Sequence, residues 1–166
     1  FRKDIPISST KELLSLMPHS KILGLAEVMN VPGVLSGDLG EKLSCFQNMA
    51  IDGHLPLVGG RKLSACAVAR ISSCHESTEI NEAKEKLTNG ISIWIREGSV
   101  AKDLNILISL LDPGSSEHIG FCTDDRNPLD ILTEGHINFL IMQALKKGIP
   151  SELVYKSASW SVASHY

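Results

Sequence analysis

The sequence predicts an α/β fold with a parallel sheet, in the form of an incomplete (β/α)8 barrel of the TIM type. One reason is that short apolar runs typical of buried strands alternate along the chain with amphipathic stretches typical of helices. A second is that successive apolar runs end in an acid or an imidazole, and a parallel barrel delivers functional side chains to one face in this way. Thirdly, no GxGxxG loop follows the first strand, which disfavours an open nucleotide-binding sheet.

Five short segments have the composition of strands, because they are rich in apolar residues and are bounded by turn-forming residues. They cover residues 21–28, 49–54, 69–75, 91–98 and 118–124. Five strands cannot close an eight-stranded barrel. The chain is therefore expected to supply roughly strands four to eight with their helices, so that residues 1–166 form a single incomplete barrel domain.

Helices are predicted between the strands from apolar spacing and capping residues. Ser9 and Thr10 are expected to cap a helix over residues 11–17, whereas residues 31–40, rich in Gly and Pro, are predicted to form a loop. The charged run at 81–87 is interpreted as a solvated helix face. The other predicted helices cover residues 40–49, 60–70, 77–90, 102–111 and 129–147, and a last one starts at Pro150 and Ser151.

Composition indicates a globular chain with a small-molecule partner. Its 166 residues, 43% hydrophobic and 21% charged, suffice to bury the core of one domain. The net charge of −3 and the lack of a block of Lys and Arg argue against a nucleic-acid or membrane surface. No run approaches the roughly 20 apolar residues of a membrane span, and the amino end lacks the apolar core of a signal peptide. The chain begins with Phe instead of Met, which suggests either processing or a piece of a longer protein.

The cysteines indicate a reducing compartment. None of the four has the paired spacing of a CxxC motif, so reduced thiols and a cytoplasmic location are expected. Cys74 and Cys122 neighbour candidate ligands, but they are out of phase with them along the strands and are expected to pack in the core.

Side chains suited to metal binding or acid–base chemistry close the predicted strands. They are Glu27, His54, His75, Glu97 and Asp124. A single acid or histidine at such a position is more often structural than functional. Their recurrence at strand after strand predicts a metal-dependent hydrolase site at the carboxyl end of a barrel.

Five consecutive phrases of the sequence resemble the motifs of bacterial and archaeal adenine deaminases, which belong to the amidohydrolase superfamily. The resemblance runs in order from about Leu16 to Tyr166. Two departures are Cys74, where the family usually has Asp, and Asn127, where a His is common. The phrases are GLAEVMNVPGVLSGD, IDGHLPLVGGRKLSA, CHESTEINEAKEKLTNG, IREGSVAKDL and FCTDDRNPLDILTEGHIN.

The resemblance implies hydrolysis of adenine, a small purine base, to hypoxanthine and ammonia by a hydroxide held between two divalent metal ions. Glu27 would bridge the ions, His54 and His75 would bind the second ion, and Asp124 would bind the first. Asp124 would also take the proton of the hydroxide, and Glu76 would donate a proton to a ring nitrogen. Mn²⁺ is the expected metal, with Fe²⁺ or Zn²⁺ as alternatives that suit the same ligands.

Further residues in the matching phrases are expected to contact the substrate or to orient the ligands. They are Arg96, Glu97, Ser99 and Asp125. Strand alternation would point Asp124 and Asp125 in opposite directions and leaves open which of them binds metal. The family pattern favours Asp124.

The resemblance also implies that the site is incomplete in this chain. Amidohydrolases take two more ligands from an HxH pair, and the sequence contains no HxH. The chain alone is therefore expected to bind metal poorly and to be inactive. The strands at 21–28 and 118–124 would be unpaired edges, which predicts either homo-oligomers and association along those edges or stabilisation by the absent amino-terminal part.

Two other functions remain open at this point. One is a different amidohydrolase that acts on a cyclic amide or another nucleobase, because one barrel and ligand set can host many reactions. The other is a non-catalytic barrel fragment with a role in assembly.

Overall fold

The computed structural model describes residues 10–16, 19 and 21–166, and within them five parallel strands alternate with helices. The strands lie side by side in the order of the sequence, and each neighbouring pair is parallel. This confirms the predicted α/β class with a parallel sheet. The order of these five strands does not reverse, whereas a doubly wound sheet has such a reversal. The strands are β1 (Gly24–Val28), β2 (Ala50–Gly53), β3 (Ser73–Cys74), β4 (Ser92–Arg96) and β5 (Ile119–Cys122).

Helices follow the strands, and most of the predicted helices are present with shorter bounds. Thr10 begins the first helix, while the predicted cap Ser9 lies outside the described residues. The helices are α1 (Thr10–Leu16), α2 (Val31–Ser36), α3 (Gly40–Cys45), α4 (Gly60–Val68), α5 (Ile80–Thr88), α6 (Leu104–Leu107), α7 (Pro128–Thr133), α8 (Ile137–Lys146), α9 (Ser151–Tyr155) and α10 (Ser161–His165). A 3-10 turn (Ile108–Leu110) extends α6, and a π-helical turn (Lys156–Trp160) joins α9 to α10.

The prediction of a loop at residues 31–40 is wrong, because α2 and the start of α3 occupy this stretch. Asn30 caps α2, since its side-chain oxygen accepts a hydrogen bond from Gly33 N at 3.0 Å. Pro32 stands in the first turn, where a helix tolerates proline. Gly37 ends the helix with a left-handed φ of 87°. The Pro and Gly that suggested a loop are thus the residues that begin and end a short helix.

The long helix predicted over residues 129–147 is also wrong, because the chain breaks it into α7 and α8. Gly135 has a φ of 112°, which a helix does not permit, and its carbonyl accepts a hydrogen bond from Arg126 Nε at 2.7 Å. Asn138 then accepts a hydrogen bond from the backbone N–H of His136 at 2.8 Å. The apolar spacing on both sides of Gly135 is helical, so periodicity alone missed the break.

The apolar core has two clusters. One packs β4 and β5 against α5, α6, α8 and α9, and the other packs β1, β2 and β3 against α2, α3 and α4. Cys74 lies fully buried in the second cluster, which confirms its predicted packing role.

Side chains of β4 alternate between the core and the opposite face of the sheet. Ile93 and Ile95 enter the first core cluster. Trp94 instead packs edge-to-face on His165 of α10, with ring centroids 4.9 Å apart. Arg96 lies two residues further along the same face, at the carboxyl end of β4. Helix α10 therefore covers this face near Trp94, and the carboxyl end of the strand lies beyond the helix.

The charged run at 81–87 is a solvated face only in part, because Lys84 and Glu85 are exposed as predicted, whereas Lys86 is fully buried and makes three hydrogen bonds. Among the helices of the described residues, none is long and apolar enough to cross a membrane.

Candidate metal centre

The carboxyl ends of three neighbouring strands bring an acid and two imidazoles together. Glu27 is the fourth residue of β1, His54 directly follows β2, and His75 directly follows β3. Parallel strands present their carboxyl ends at one edge of the sheet, and the pairing of β1 with β2 and of β2 with β3 aligns these residues. The strand ends, each defined by a short apolar run, thus converge as the sequence predicted.

The ligand atoms of these side chains form a compact triangle. Glu27 Oε2 lies 2.8 Å from His75 Nε2 and 3.7 Å from His54 Nδ1. The two imidazole nitrogens are 3.4 Å apart. Metal–nitrogen bonds of about 2.0–2.1 Å in a tetrahedral site separate the ligand atoms by about 3.4 Å, so the three atoms fit around one ion.

The donor types also fit a divalent metal ion. One carboxylate and two imidazoles suit Mn²⁺, Fe²⁺ and Zn²⁺. Glu27, His54 and His75 together form one of the groups in the described residues that are spaced to hold an ion, and His75, Glu76 and Asp124 form a second. The chain therefore supplies two adjacent ligand groups that share His75.

Asp52 orients His75 and was missed in the sequence, although it stands in the same DGH phrase as His54. Its Oδ2 lies 2.9 Å from His75 Nδ1, and its Oδ1 accepts a hydrogen bond from the buried Ser73 hydroxyl at 2.7 Å. The hydrogen bond to Asp52 raises the pKa of His75, against the opposing effect of burial. With Nδ1 engaged by a carboxylate, Nε2 is the nitrogen that faces Glu27 and is available to a metal.

A buried guanidinium joins the acids on the other side of the site. Arg96, at the end of β4, donates from one terminal nitrogen to Glu76 and to Asp124, the latter at 2.9 Å. Its Nε donates to Asp103 at 3.2 Å. Burial works to lower the pKa of Arg96, but the hydrogen bonds with Glu76 and Asp124 outweigh it and raise that pKa. Arg96 therefore fixes the positions of Glu76 and Asp124 next to the imidazoles.

The carboxylates of the adjacent residues Asp124 and Asp125 lie in different places and have different partners. Asp124 has a φ of 49°, so the extended alternation assumed for the strand has already ended there. Its carboxylate turns toward Arg96 and His75. Asp125 instead accepts a hydrogen bond from Val100 N at 3.2 Å and packs so closely on Gly98 that a Cβ there would collide with it. Asp124 is thus the aspartate that faces the candidate site.

Glu97 and Ser99, which the sequence singled out, belong to other networks. The buried Glu97 accepts a hydrogen bond from Leu104 N at 3.1 Å, and burial raises its pKa. Ser99 donates to Asp130, and it accepts a hydrogen bond from Asn127 N at 2.9 Å. These contacts tie the segment after β4 to neighbouring segments of the chain.

Asp52→Asn is expected to weaken metal binding by about 10- to 100-fold, because an amide cannot hold His75 Nδ1–H with a full negative charge. The measurement is a chelator-competition titration of the natural full-length polypeptide with Mn²⁺ and Zn²⁺. Asp38→Asn, on the exposed turn after α2, is the matched control and should leave the affinity unchanged. Equal metal affinities of the Asp52→Asn variant and the wild type would contradict the orienting role of Asp52.

No family model matches the chain, but sequence comparison with known proteins finds adenine deaminases that are similar to it. An adenine deaminase of Shewanella halifaxensis is 45% identical over 161 residues, which are 95% of this chain and 27% of that protein. An adenine deaminase of Gluconobacter oxydans is 46% identical over 162 residues, 96% of this chain and 29% of the relative. One from Escherichia coli is 43% identical over 159 residues, 94% of this chain and 27% of the relative.

The chain thus spans less than a third of the length of these relatives. Within that span the similarity covers nearly every residue of the chain, including the strand ends that carry Glu27, His54, His75 and Asp124.

Proposed function

We propose, since the chain is homologous to adenine deaminases over nearly its whole length, that it forms part of the catalytic domain of such an enzyme. The proposed reaction adds water to C6 of adenine and breaks the bond between C6 and the exocyclic nitrogen, which yields hypoxanthine and ammonia. The observation that carries the proposal is the convergence of Glu27, His54 and His75 at the carboxyl ends of parallel strands within the homologous stretch.

The proposed architecture is a barrel to which this chain contributes roughly strands four to eight. Five parallel strands in sequence order, each followed by helical segments, support this arrangement. In the described part of the chain, β1 and β5 each have one neighbouring strand, so one edge of each is open to a further strand. The remaining strands would come from the rest of a longer protein. In their absence we propose that the chain associates along these edges.

Divalent metal ions are the proposed cofactors, with Mn²⁺ favoured and Fe²⁺ or Zn²⁺ as alternatives. Glu27, His54 and His75 would hold one ion, and Asp124 together with residues outside this chain would hold another. When bound, these ions supply Lewis-acid activation of water. Asp52, through its contact with His75 Nδ1, would leave His75 Nε2 beside Glu27 and available to an ion.

The acids of the site would move the protons of the reaction. Asp124 is placed to accept a proton at its carboxylate and to deliver it to the departing ammonia. Glu76 lies beside His54, with Oε2 at 3.8 Å from Nδ1, and is placed to deliver a proton to a ring nitrogen of the purine. Arg96 contacts both acids and holds them on one side of the site.

The proposed substrate is a small purine base, with no nucleic-acid or membrane partner. A cytoplasmic location is also proposed, and the four unpaired thiols support a reducing compartment.

The decisive experiment is an assay of the natural full-length polypeptide that carries this sequence. With Mn²⁺ bound, it is expected to convert adenine to hypoxanthine with one ammonia released for each adenine consumed, and to lose this activity after chelation. The measurement is the loss of adenine absorbance, together with ammonia quantified by a coupled reaction.

Two outcomes decide the proposal. Hydrolysis of a hydantoin or dihydropyrimidine in place of adenine would replace it with a different amidohydrolase activity. Metal-loaded protein that hydrolyses none of these substrates would favour a non-catalytic role.

A further inference from the structure

Two loops of the candidate site are tied together by a buried ion pair on a neighbouring helix. The loop after β2 begins with His54, and the loop after β3 begins with His75 and Glu76. Glu82 and Lys86, one turn apart on α5, reach both loops, and we name this pair the α5 clamp. Their side chains are only 7% and 0% exposed, although the sequence around them is strongly charged.

The Lys86 ammonium donates all of its hydrogen bonds to the loop after β3 and to Glu82. Nζ donates to the backbone carbonyl of Glu76 at 2.7 Å, to Ser77 Oγ at 2.9 Å and to Glu82 Oε1 at 2.8 Å. An ammonium has three donors, so all of them are used inside the protein. The contact with the Glu76 carbonyl fixes the backbone directly after His75.

Glu82 extends the clamp to the loop after β2. Its Oε1 accepts a hydrogen bond from Leu57 N at 2.7 Å, and its Oε2 accepts one from Thr78 N at 3.1 Å. Leu57 has a φ of 56°, which is strained for a residue with a side chain, so this loop conformation depends on contacts such as the one with Glu82. Glu85, on the same helix, adds a hydrogen bond from Gly60 N at 2.6 Å.

Stability alone does not account for such a pair. Taking both charges out of water costs free energy, and a well-packed apolar pair of similar volume is often as stable or more so. An exposed pair at the same helical spacing would contribute only a few tenths of a kcal/mol. What the buried pair provides and an apolar pair lacks is a set of directed hydrogen bonds to two separate loops.

We propose that the α5 clamp is a positioning device, which holds the loop that carries His54 at a fixed distance from the loop that carries His75 and Glu76. The ligand atoms of the two histidines thereby stay within reach of one ion. The links to metal binding and catalysis rest on the proposed function, whereas the effect on loop mobility does not.

The test uses Lys86→Met, Glu82→Gln and the double variant in the natural full-length polypeptide. Lys86→Met leaves Glu82 as an unpaired buried carboxylate, so its melting temperature should fall. The double variant removes both charges, so its melting temperature should return toward that of the wild type. Amide hydrogen exchange at residues 55–60 and 76–79 should nevertheless remain at least about tenfold faster, and Mn²⁺ affinity should remain about 10- to 100-fold weaker.

Lys84→Met is the matched control, because Lys84 is exposed on the same helix. It should match the wild type in melting temperature, hydrogen exchange and metal affinity. A double variant that recovers hydrogen exchange and metal affinity together with its melting temperature would overturn the inference, because the pair would then serve stability only.

Glu82→Gln keeps the test decisive if Lys86→Met and the double variant fail to fold. The amide nitrogen cannot accept a hydrogen bond, so at least one of the amides of Leu57 and Thr78 should exchange faster in a folded protein. Unchanged exchange at both amides would overturn the inference. A wild type that binds metal but does not deaminate adenine would refute the proposed function alone, because loop exchange and metal affinity are measured without turnover.

Discussion

Glu27→Gln is expected to reduce metal affinity by at least about 100-fold and adenine turnover by about 1000-fold or more. The amide removes the charge that lies 2.8 Å from His75 Nε2 and 3.7 Å from His54 Nδ1. Changes to residues that only orient a ligand already cost 10- to 100-fold, so loss of a ligand should cost more. A metal ion supplies several kcal/mol of transition-state stabilisation, which corresponds to a factor of about 1000 or more in rate.

The measurements are metal content after dialysis and kcat/KM for adenine, both on the natural full-length polypeptide. The Glu27 side chain is 34% exposed, so the melting temperature should change little and the losses should reflect the site. Glu41→Gln, at an exposed position in the first turn of α3, is the matched control. If Glu27→Gln retained full metal content and turnover, Glu27 would have no ligand role.

Arg96→Met is expected to lower the free energy of unfolding by about 3–5 kcal/mol, the range for removing one partner of a buried ion pair. The guanidinium is 7% exposed, and its loss leaves Asp103, at 8% exposure, without its cation. Glu76 and Asp124 lose the same partner, so catalytic turnover should also fall. The unfolding measurement is urea denaturation of the 166-residue chain followed by circular dichroism.

The loss of stability in Arg96→Met should depend on pH. Burial already raises the pKa of Asp103 against the opposing charge of Arg96, and without Arg96 that pKa should rise further. A carboxyl with a raised folded-state pKa stabilises the protein below its unfolded pKa of about 3.9, and this contribution is lost as the pH rises through the folded pKa. The variant should therefore be less destabilised at pH 5 than at pH 7.

Two variants control for the effect of removing a cation in general. Arg61→Met, at an exposed position on α4, should leave the free energy of unfolding within about 0.5 kcal/mol of the wild type. Arg96→Met combined with Asp103→Asn should recover part of the loss, because the unpaired buried charge is then gone. If Arg96→Met changed stability by less than about 1 kcal/mol, Arg96 would not be the cation that holds these acids.

The strands and their order in the sheet follow from features that the sequence displays locally. Short apolar runs mark all five strands, and parallel connections through helices keep them in order. The wrong loop prediction at residues 31–40 and the wrong helix prediction at residues 129–147 had local causes of another kind. Pro32 stands in the first turn of α2 and Gly37 ends this helix, although both residues suggested a loop. The positive φ of Gly135 interrupts a continuous helical pattern.

The contents of the site were only partly visible in the sequence. Glu27, His54 and His75 each stand at a strand end, so their convergence was predictable from the parallel order. Asp52 was not singled out, because the sequence does not show that its side chain turns toward the end of a neighbouring strand. In the sequence it looks like any other polar residue. Lys86 was misjudged as solvated, since helical periodicity reports a face of a helix and does not report what packs on that face.

By itself, the sequence determined the α/β class, the five strands, the residues at their ends and the resemblance to adenine deaminases. The tertiary structure decided that Asp124 and not Asp125 faces the site, that Arg96 joins Glu76 to Asp124, and that Lys86 is buried against the loop after β3. The physical reason is the separation along the sequence over which each kind of interaction acts. Periodicity and capping act within a few residues, whereas these contacts join residues 10 to 28 positions apart, which only the packing of strands and helices brings together.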